Sequence, residues 1–176
     1  KFVLSSSAAI YGDNPVVPKV ETMFPEPKSP YAITKLDGEY YCKMFADEGR
    51  LQTACLRYFN VFGPRQDPAS PYSGVISIFE RRYREGRGVT IFGDGSQTRD
   101  FISVHDVARV NVIAATKAGI VSGAANICTG RATSLREVVG IFAQHYPKVP
   151  APQYAAARAG VIVHSLVRPE RAQAEL

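Results

Sequence analysis

Short apolar runs recur along the chain and are separated by longer stretches in which apolar and polar residues are mixed. Three of these runs cover residues 1–4, 53–58 and 125–128. Short segments that are mostly apolar, as these are, are typical of strands buried in a parallel sheet. Because a helical stretch separates the first two runs, the pattern predicts an α/β fold.

The stretch between the first two runs has helix signals at both ends. Ser29 is a suitable N-cap, and Pro30 suits the first helical position. Good helix formers continue from Tyr31 to about Glu48, and Gly49 can end the helix. The sequence therefore predicts a helix with Tyr31 in its first turn.

Three further segments are predicted to be helical. They are an amphipathic segment with apolar positions Val75, Ile76, Phe79 and Tyr83, a segment from His105 to about Lys117, and a segment from Ser134 to about Tyr146. The third begins with a capping box, because Glu137 follows Ser134 by three residues. After it, Pro147, Pro150 and Pro152 are expected to end regular structure.

The middle of the chain is predicted to form two strands joined by a turn. Residues 89–92 read as a short strand, Gly93 to Gly95 as a turn, and residues 99–104 as the second strand. The second strand leads directly into the helix that begins at His105.

Composition narrows the classes of function. The 176 residues are 45% apolar and 21% charged, and no apolar run approaches the roughly 20 residues of a membrane-spanning helix. The net charge of +5 raises the question of nucleic-acid binding. The densest basic cluster is Arg81, Arg82, Arg84 and Arg87, and the solvated face of a predicted amphipathic helix accounts for it. No recognition motif accompanies it. We expect a soluble cytoplasmic protein that binds neither nucleic acid nor membranes.

Metal and disulfide sites are not expected. The three cysteines are isolated within apolar segments, which favours buried thiols. The three histidines lack the spacing of metal ligands. These residues are Cys42, Cys55, Cys128, His105, His145 and His164.

Candidate chemistry lies at Tyr31 and Lys35, which follow the serine run Ser5 to Ser7 at the end of the first predicted strand. Residues four apart on a helix stack on one face. Free tyrosine titrates near pH 10, so a tyrosine can transfer protons near neutrality only if a cation favours its phenolate. The alternative is that Tyr31 is a packed aromatic residue and Lys35 a solvated charge.

Four ordered motifs favour the catalytic interpretation. They are Ser-Ser-Ser-Ala-x-x-Tyr-Gly at residues 5–12, Ser-Pro-Tyr-Ala-x-Thr-Lys at 29–35, Leu-Arg-Tyr-Phe-Asn-Val-Phe-Gly at 56–63, and Gly-Asp-Gly-x-Gln-x-Arg-Asp-Phe at 93–101. This order resembles the extended short-chain dehydrogenase/reductase family. Within it, the chain resembles the NAD-dependent nucleotide-sugar epimerases of the UDP-glucose and UDP-N-acetylglucosamine 4-epimerase type.

The resemblance implies the C-terminal part of a Rossmann-like, doubly wound parallel sheet together with a smaller α/β substrate-binding domain. It assigns residues 1–66 and 101–130 to the NAD-binding domain, and 67–100 and 131–176 to the nucleotide-sugar-binding domain. The family's Gly-rich pyrophosphate turn is missing, because Gly86, Gly88, Gly93 and Gly95 lack its spacing. We therefore expect a fragment that is incomplete at both ends and inactive by itself.

The resemblance also implies roles for single residues. Ser7, Tyr31 and Lys35 would be catalytic: Tyr31 takes the proton of the sugar C4 hydroxyl, Ser7 binds the C4 oxygen, and Lys35 holds the nicotinamide ribose. Ser5 and Tyr58 would join Tyr31 and Lys35 in binding NAD. The expected result is inversion at C4 through a 4-keto sugar.

Seven residues are implied to bind the UDP-sugar: Ser7, Asn60, Val75, Phe92, Arg99, Arg158 and Ser165. Phe92 would pack on the uracil, and Asn60, Arg99 and Arg158 would contact the diphosphate. Val161 and Arg168 replace aspartates common in the family, which weakens the expectation for Arg158. A small side chain at Ser165 favours N-acetylated sugars. A homodimer through the helix of Tyr31 is also implied.

Two alternatives remain. A nucleotide-sugar 4,6-dehydratase or reductase shares the Tyr/Lys pair, but a dehydratase needs an acid and a base at positions that Ala8 and Ala9 occupy here. The other alternative is an inactive remnant that only binds a nucleotide sugar.

Overall fold

The computed structural model describes residues 1–70, 73–118, 123–157 and 166–176. In chain order, its elements are β1 (Phe2–Ser7), a 3₁₀ turn (Ala8–Tyr11), α1 (Pro30–Asp47), β2 (Thr53–Tyr58), β3 (Asn60–Phe62), α2 (Val75–Arg84), β4 (Thr90–Phe92), β5 (Thr98–Arg99), β6 (Phe101–Ser103), α3 (Val104–Thr116), β7 (Gly123–Ile127), β8 (Thr133–Ser134), α4 (Leu135–His145), β9 (Gln153–Ala155) and α5 (Glu170–Glu175). The predicted α/β fold is confirmed.

The largest sheet in the described part is parallel and has the order β1-β2-β7. Ser7 pairs in register with Tyr58, and Tyr58 with Ile127, so the three strands end at one edge. The carboxyl edge of a parallel sheet is where ligands bind in open α/β folds. One side of the sheet packs on α3, with Leu56 of β2, Val107 of α3 and Ile102 of β6 in one buried cluster.

Helix α1 begins as its sequence predicts. The Ser29 side chain accepts a hydrogen bond from the backbone N–H of Ala32 at 3.2 Å, and Pro30 is the first helical residue. The helix ends at Asp47, and Gly49 follows with φ of 67°, a conformation that glycine adopts without strain. Helix α1 packs on β1 and β2 and so carries its first turn to the edge where these strands end.

Helices α2 and α4 pack together around a second buried cluster. Its members are Phe79, Tyr83, Val89, Ile91, Val138 and Val139. The predicted capping box of α4 is confirmed, since the Ser134 side chain accepts from the N–H of Glu137 and the Glu137 carboxylate accepts from the N–H of Ser134. No helix within the described ranges is both long and apolar enough to cross a membrane.

The predicted second strand over residues 99–104 is wrong as a single element. It is divided between β5, which pairs antiparallel with β8, and β6, which pairs parallel with β3. Asp100 stands between them and is fully buried, and its carboxylate accepts hydrogen bonds from Thr129 and Gly130. The buried Asp100 therefore separates the strand that pairs with β8 from the strand that pairs with β3.

The prolines after α4 do not end regular structure, contrary to the prediction. Strand β9 follows Pro152 and pairs parallel with β4, so that Phe92 lies opposite Ala155. The N–H of Gly93 donates to the carbonyl of Ala155 at 2.9 Å. The segment that follows the prolines therefore forms a strand, and this strand pairs with β4 although about sixty residues separate the two in sequence.

Candidate active site

Tyr31 and Lys35 share one face of α1 and meet the end of β1. The Lys35 ammonium donates to the backbone carbonyl of Ser5 at 2.9 Å. Its Nζ lies 5.6 Å from the centroid of the Tyr31 ring, and Tyr31 is 51% exposed. The predicted stacking of phenol and ammonium is confirmed, and the exposed phenol is accessible to a ligand.

Ser7 ends β1 and caps the 3₁₀ turn. Its Oγ accepts a hydrogen bond from the N–H of Ala9 at 3.1 Å. An oxygen held in this way can still donate its hydrogen to the oxygen of a ligand. The cap thus fixes the hydroxyl at the carboxyl edge of the sheet.

Tyr58 ends β2 beside Ser5. Its hydroxyl lies 3.2 Å from Ser5 Oγ and donates to Asn111 Oδ1 at 2.9 Å. Asn111 in turn donates to the carbonyl of Val107 at 2.7 Å on α3. The structure therefore brings together the four residues predicted to bind NAD, and Asn111 joins them without having been predicted from the sequence.

A large cavity of about 620 Å³ lies between β3, α2 and β4. Four of the residues predicted to bind the UDP-sugar line it: Asn60, Val75, Phe92 and Arg99. A smaller space of about 270 Å³, here called the serine cleft, is lined by Ser7, Ala8, Ala9 and Tyr58 among others. Phe59, Asn60 and Arg99 line both spaces, so the two are adjacent.

Arg99 carries the charge at the boundary of these two spaces. One guanidinium N–H donates to the carbonyl of Thr98 at 2.7 Å. Burial lowers the pKa of Arg99 from its ordinary value. A cation withdrawn from water in this way favours an anionic ligand, and its planar fork suits phosphate oxygens.

Asn60 and Phe92 are held in place through the backbone. The Asn60 side chain donates to the carbonyl of Asp100 at 3.0 Å, and Gln97 donates to the carbonyl of Phe92 at 2.8 Å. The ring of Phe92 is 37% exposed on the cavity wall. A partly exposed aromatic face at this position is suited to a planar base.

Two predicted substrate-binding residues, Arg158 and Ser165, and the departure at Val161 lie outside the described residues. Arg168 is exposed, and its Nε lies 3.6 Å from Glu170 Oε1.

A buried polar network behind the serine run was not predicted from the sequence. The Arg57 guanidinium binds both oxygens of the Glu39 carboxylate, at 2.9 Å and 2.7 Å. Burial lowers the pKa of Arg57, but the hydrogen bonds to Glu39 and the neighbouring Tyr11 outweigh this effect and hold the pKa above its ordinary value. The signal in the sequence was Arg57 itself, because a charged residue within a predicted buried strand requires a partner of opposite charge.

The chain was compared with protein families and with known proteins. The sequence profile of the NAD dependent epimerase/dehydratase family matches residues 1–128. The chain is similar to a putative UDP-glucose 4-epimerase of Methanocaldococcus jannaschii, with 44% identity over 138 residues that make up 78% of this chain and 44% of that protein.

Solved structures agree with this match. The UDP-N-acetylglucosamine 4-epimerase from Methanobrevibacter ruminantium M1, in complex with UDP-N-acetylmuramic acid, has a TM-score of 0.91 and 37% identity, over 97% of this chain and 55% of that one. The UDP-glucose 4-epimerase of Thermotoga maritima, with UDP-glucose, has a TM-score of 0.86 and 38% identity, over 98% of this chain and 55% of that one. The chain spans about half the length of these relatives, and it belongs to the NAD-dependent epimerase/dehydratase family.

Proposed function

We propose that the complete protein containing this chain interconverts UDP-sugars epimeric at C4, either UDP-glucose and UDP-galactose or their N-acetylated counterparts. The observation that carries this proposal is the adjacency of two spaces, one lined by Phe92 and the other by Ser7, with Arg99 and Asn60 in the wall of both. A nucleotide in the large cavity, with its diphosphate at Arg99, would extend its sugar towards Ser7.

The hydroxyls and the ammonium at the ends of β1 and β2 fit a dinucleotide. Ser5, Tyr58 and Lys35 are joined by hydrogen bonds at this edge, and such donors suit a ribose diol. NAD bound here would supply the acceptor and donor of a hydride. We propose that the Gly-rich turn that holds its pyrophosphate belongs to a longer protein of which this chain is part.

Each residue of this edge then has a task in the reaction. Tyr31 takes the proton from the C4 hydroxyl of the sugar as the C4–H bond breaks, and returns it when the bond forms again on the opposite face. The positive charge of Lys35 stabilises the phenolate of Tyr31. Ser7 donates a hydrogen bond to the C4 oxygen and so stabilises the charge that develops there.

Two further proposals concern the domain division and a homodimer. The buried residues of the β1-β2-β7 sheet and those between α2 and α4 form two separate hydrophobic clusters. This separation agrees with a cofactor-binding domain and a substrate-binding domain.

Helix α1 exposes Ile33, Tyr40, Tyr41 and Met44. Exposed apolar side chains on one helix are suited to a contact with a second copy.

The dehydratase alternative is not favoured. Ala8 and Ala9 both line the serine cleft beside Ser7. Their methyl groups can neither donate nor accept the protons that elimination requires.

The decisive experiment is a turnover assay of the complete protein with UDP-galactose and with UDP-N-acetylgalactosamine, in which the C4 epimer is detected by NMR. We expect one of the two pairs to interconvert to an equilibrium mixture without net reduction of NAD. Release of water and a stable 4-keto-6-deoxy product would contradict the proposal and indicate a dehydratase.

Substituting Phe92 by alanine is expected to raise the KM for the UDP-sugar and leave kcat unchanged. Loss of an aromatic contact of about 0.5–1.5 kcal/mol corresponds to a roughly 2- to 13-fold rise. The matched control is Tyr154→Ala, since Tyr154 is an exposed aromatic residue on β9, paired with Ile91, and does not line the cavity. An equal rise in KM for both variants would show that Phe92 has no direct contact with the base.

A further inference from the structure

Four elements of the fold meet in the buried network behind the serine run. The Arg57 side chain on β2 and the Glu39 side chain on α1 are only 6% and 9% exposed. Arg57 also donates to the Tyr11 hydroxyl at 2.8 Å, and that hydroxyl donates to Asn126 Oδ1 on β7 at 2.7 Å. The network therefore fixes α1, β2, β7 and the end of the 3₁₀ turn relative to one another.

The serine run is tied into the same network through Ser6. Its hydroxyl is buried and donates to Glu39 Oε1. Because Ser6 pairs in register with Arg57, the two residues lie side by side on adjacent strands. Glu39 thus receives hydrogen bonds from both β1 and β2 while it belongs to α1.

Four members of the network are neighbours of a candidate catalytic or cofactor-binding residue. Ser6 lies between Ser5 and Ser7, and Arg57 precedes Tyr58. Glu39 lies one helical turn after Lys35, and Tyr11 ends the turn that Ser7 caps. A displacement within the network would therefore move both sides of the site.

Stability alone does not account for a buried ion pair. Withdrawing both charges from water costs about as much as their attraction returns, and well-packed hydrophobic residues in place of such pairs are often neutral or stabilising. What the pair supplies is directionality, because a bidentate guanidinium and carboxylate hold two elements in a single arrangement.

We propose that Arg57 and Glu39 are positioning residues, which hold Ser7 at the reacting distance from Tyr31 and Lys35. This inference rests on the proposed epimerase function. It assigns to the pair an effect on kcat that acts through the geometry of the serine run and does not require contact with substrate or cofactor.

The test is the double variant Glu39→Leu/Arg57→Met of the complete protein, which replaces the pair by apolar side chains of similar length. We expect the melting temperature to change little, because removing the ion pair is neutral or stabilising while the buried Ser6 hydroxyl loses its acceptor. The kcat should fall by about 10- to 100-fold, as small misplacements of reacting groups cause. The KM for the UDP-sugar should stay within about twofold, because Phe92 and Arg99 lie on other elements.

The matched control is Lys43→Gln/Asp47→Asn, which removes an ion pair on the same helix whose side chains are 70% and 62% exposed. It should leave kcat unchanged. A double variant at Glu39 and Arg57 with normal kcat and a normal melting temperature would overturn the inference.

If the apolar double variant does not fold, Arg57→Lys is decisive, since lysine keeps the charge but cannot bind bidentately. A normal kcat in that variant would overturn the proposal, and a reduced kcat at an unchanged KM would support it.

If the wild-type protein has no epimerase activity, the proposed function fails, and hydrogen exchange then tests whether the pair positions Ser7. Faster exchange of the Ala9 amide, which donates to Ser7, in Arg57→Lys then supports it, and an unchanged rate overturns it.

Discussion

Substituting Tyr31 by phenylalanine is expected to lower the kcat of the complete protein by about 10²- to 10⁴-fold, the range associated with loss of a general acid or base. Tyr31 lies in the first turn of α1 with its phenol half exposed, and the Lys35 ammonium lies 5.6 Å from its ring centroid. Phenylalanine retains the ring and removes the proton-transferring oxygen. Binding of the UDP-sugar should therefore persist.

Kinetics and calorimetry together separate catalysis from packing. The Kd of the UDP-sugar is measured by titration calorimetry and kcat by the turnover assay. Tyr41→Phe is the matched control, because Tyr41 is an exposed tyrosine of the same helix and should tolerate loss of its hydroxyl. If Tyr31→Phe weakened binding as much as it lowered kcat, Tyr31 would have a packing role.

Substituting Asp100 by alanine is expected to lower the free energy of unfolding by about 3 kcal/mol. The carboxylate of Asp100 is fully buried and accepts three hydrogen bonds of 2.8 Å, from the N–H and hydroxyl of Thr129 and the N–H of Gly130. The contributions of several hydrogen bonds to one group do not add, and removing one partner of a buried charged group costs about 3–5 kcal/mol in all, so the expected loss lies at the lower end of this range.

Urea unfolding of the complete protein measures this loss. Asp106→Ala serves as control, since the Asp106 side chain is exposed and lies 3.7 Å from Arg109 in a weak surface pair. It should change the free energy of unfolding by no more than about 0.5 kcal/mol. A loss of similar size in both variants would mean that the buried Asp100 carboxylate contributes nothing specific.

Elements specified by local signals could be predicted from the sequence. Ser29 and Pro30 locate the start of α1, and the capping box at Ser134 locates the start of α4. The stacking of Tyr31 and Lys35 follows from helix geometry once α1 is placed. The location of the candidate site at the carboxyl edge of the sheet could also be predicted, because parallel strands end at the same edge.

Features that depend on distant partners could not be predicted in this way. Strand β9 forms because residues 153–155 pair with β4, about sixty residues earlier in the chain. The prolines just before it favour irregular structure, so the sequence does not predict a strand there. The donors to the Asp100 carboxylate, Thr129 and Gly130, lie about thirty residues further along the chain. The partners of Arg57 likewise lie on α1 and the 3₁₀ turn.

The pleat of β1 divides the three consecutive serines into two groups. Successive strand residues point to opposite faces, so Ser5 and Ser7 share one face of β1 while the buried Ser6 points to Glu39 on the other. Because the three serines are identical, deleting any one leaves two, and with β1 in its present register Ala8 would then stand in the place of Ser7, so that the candidate site would lose a hydroxyl. The number of residues in this run thus carries as much information as their chemistry, because strand length sets the direction in which each hydroxyl points.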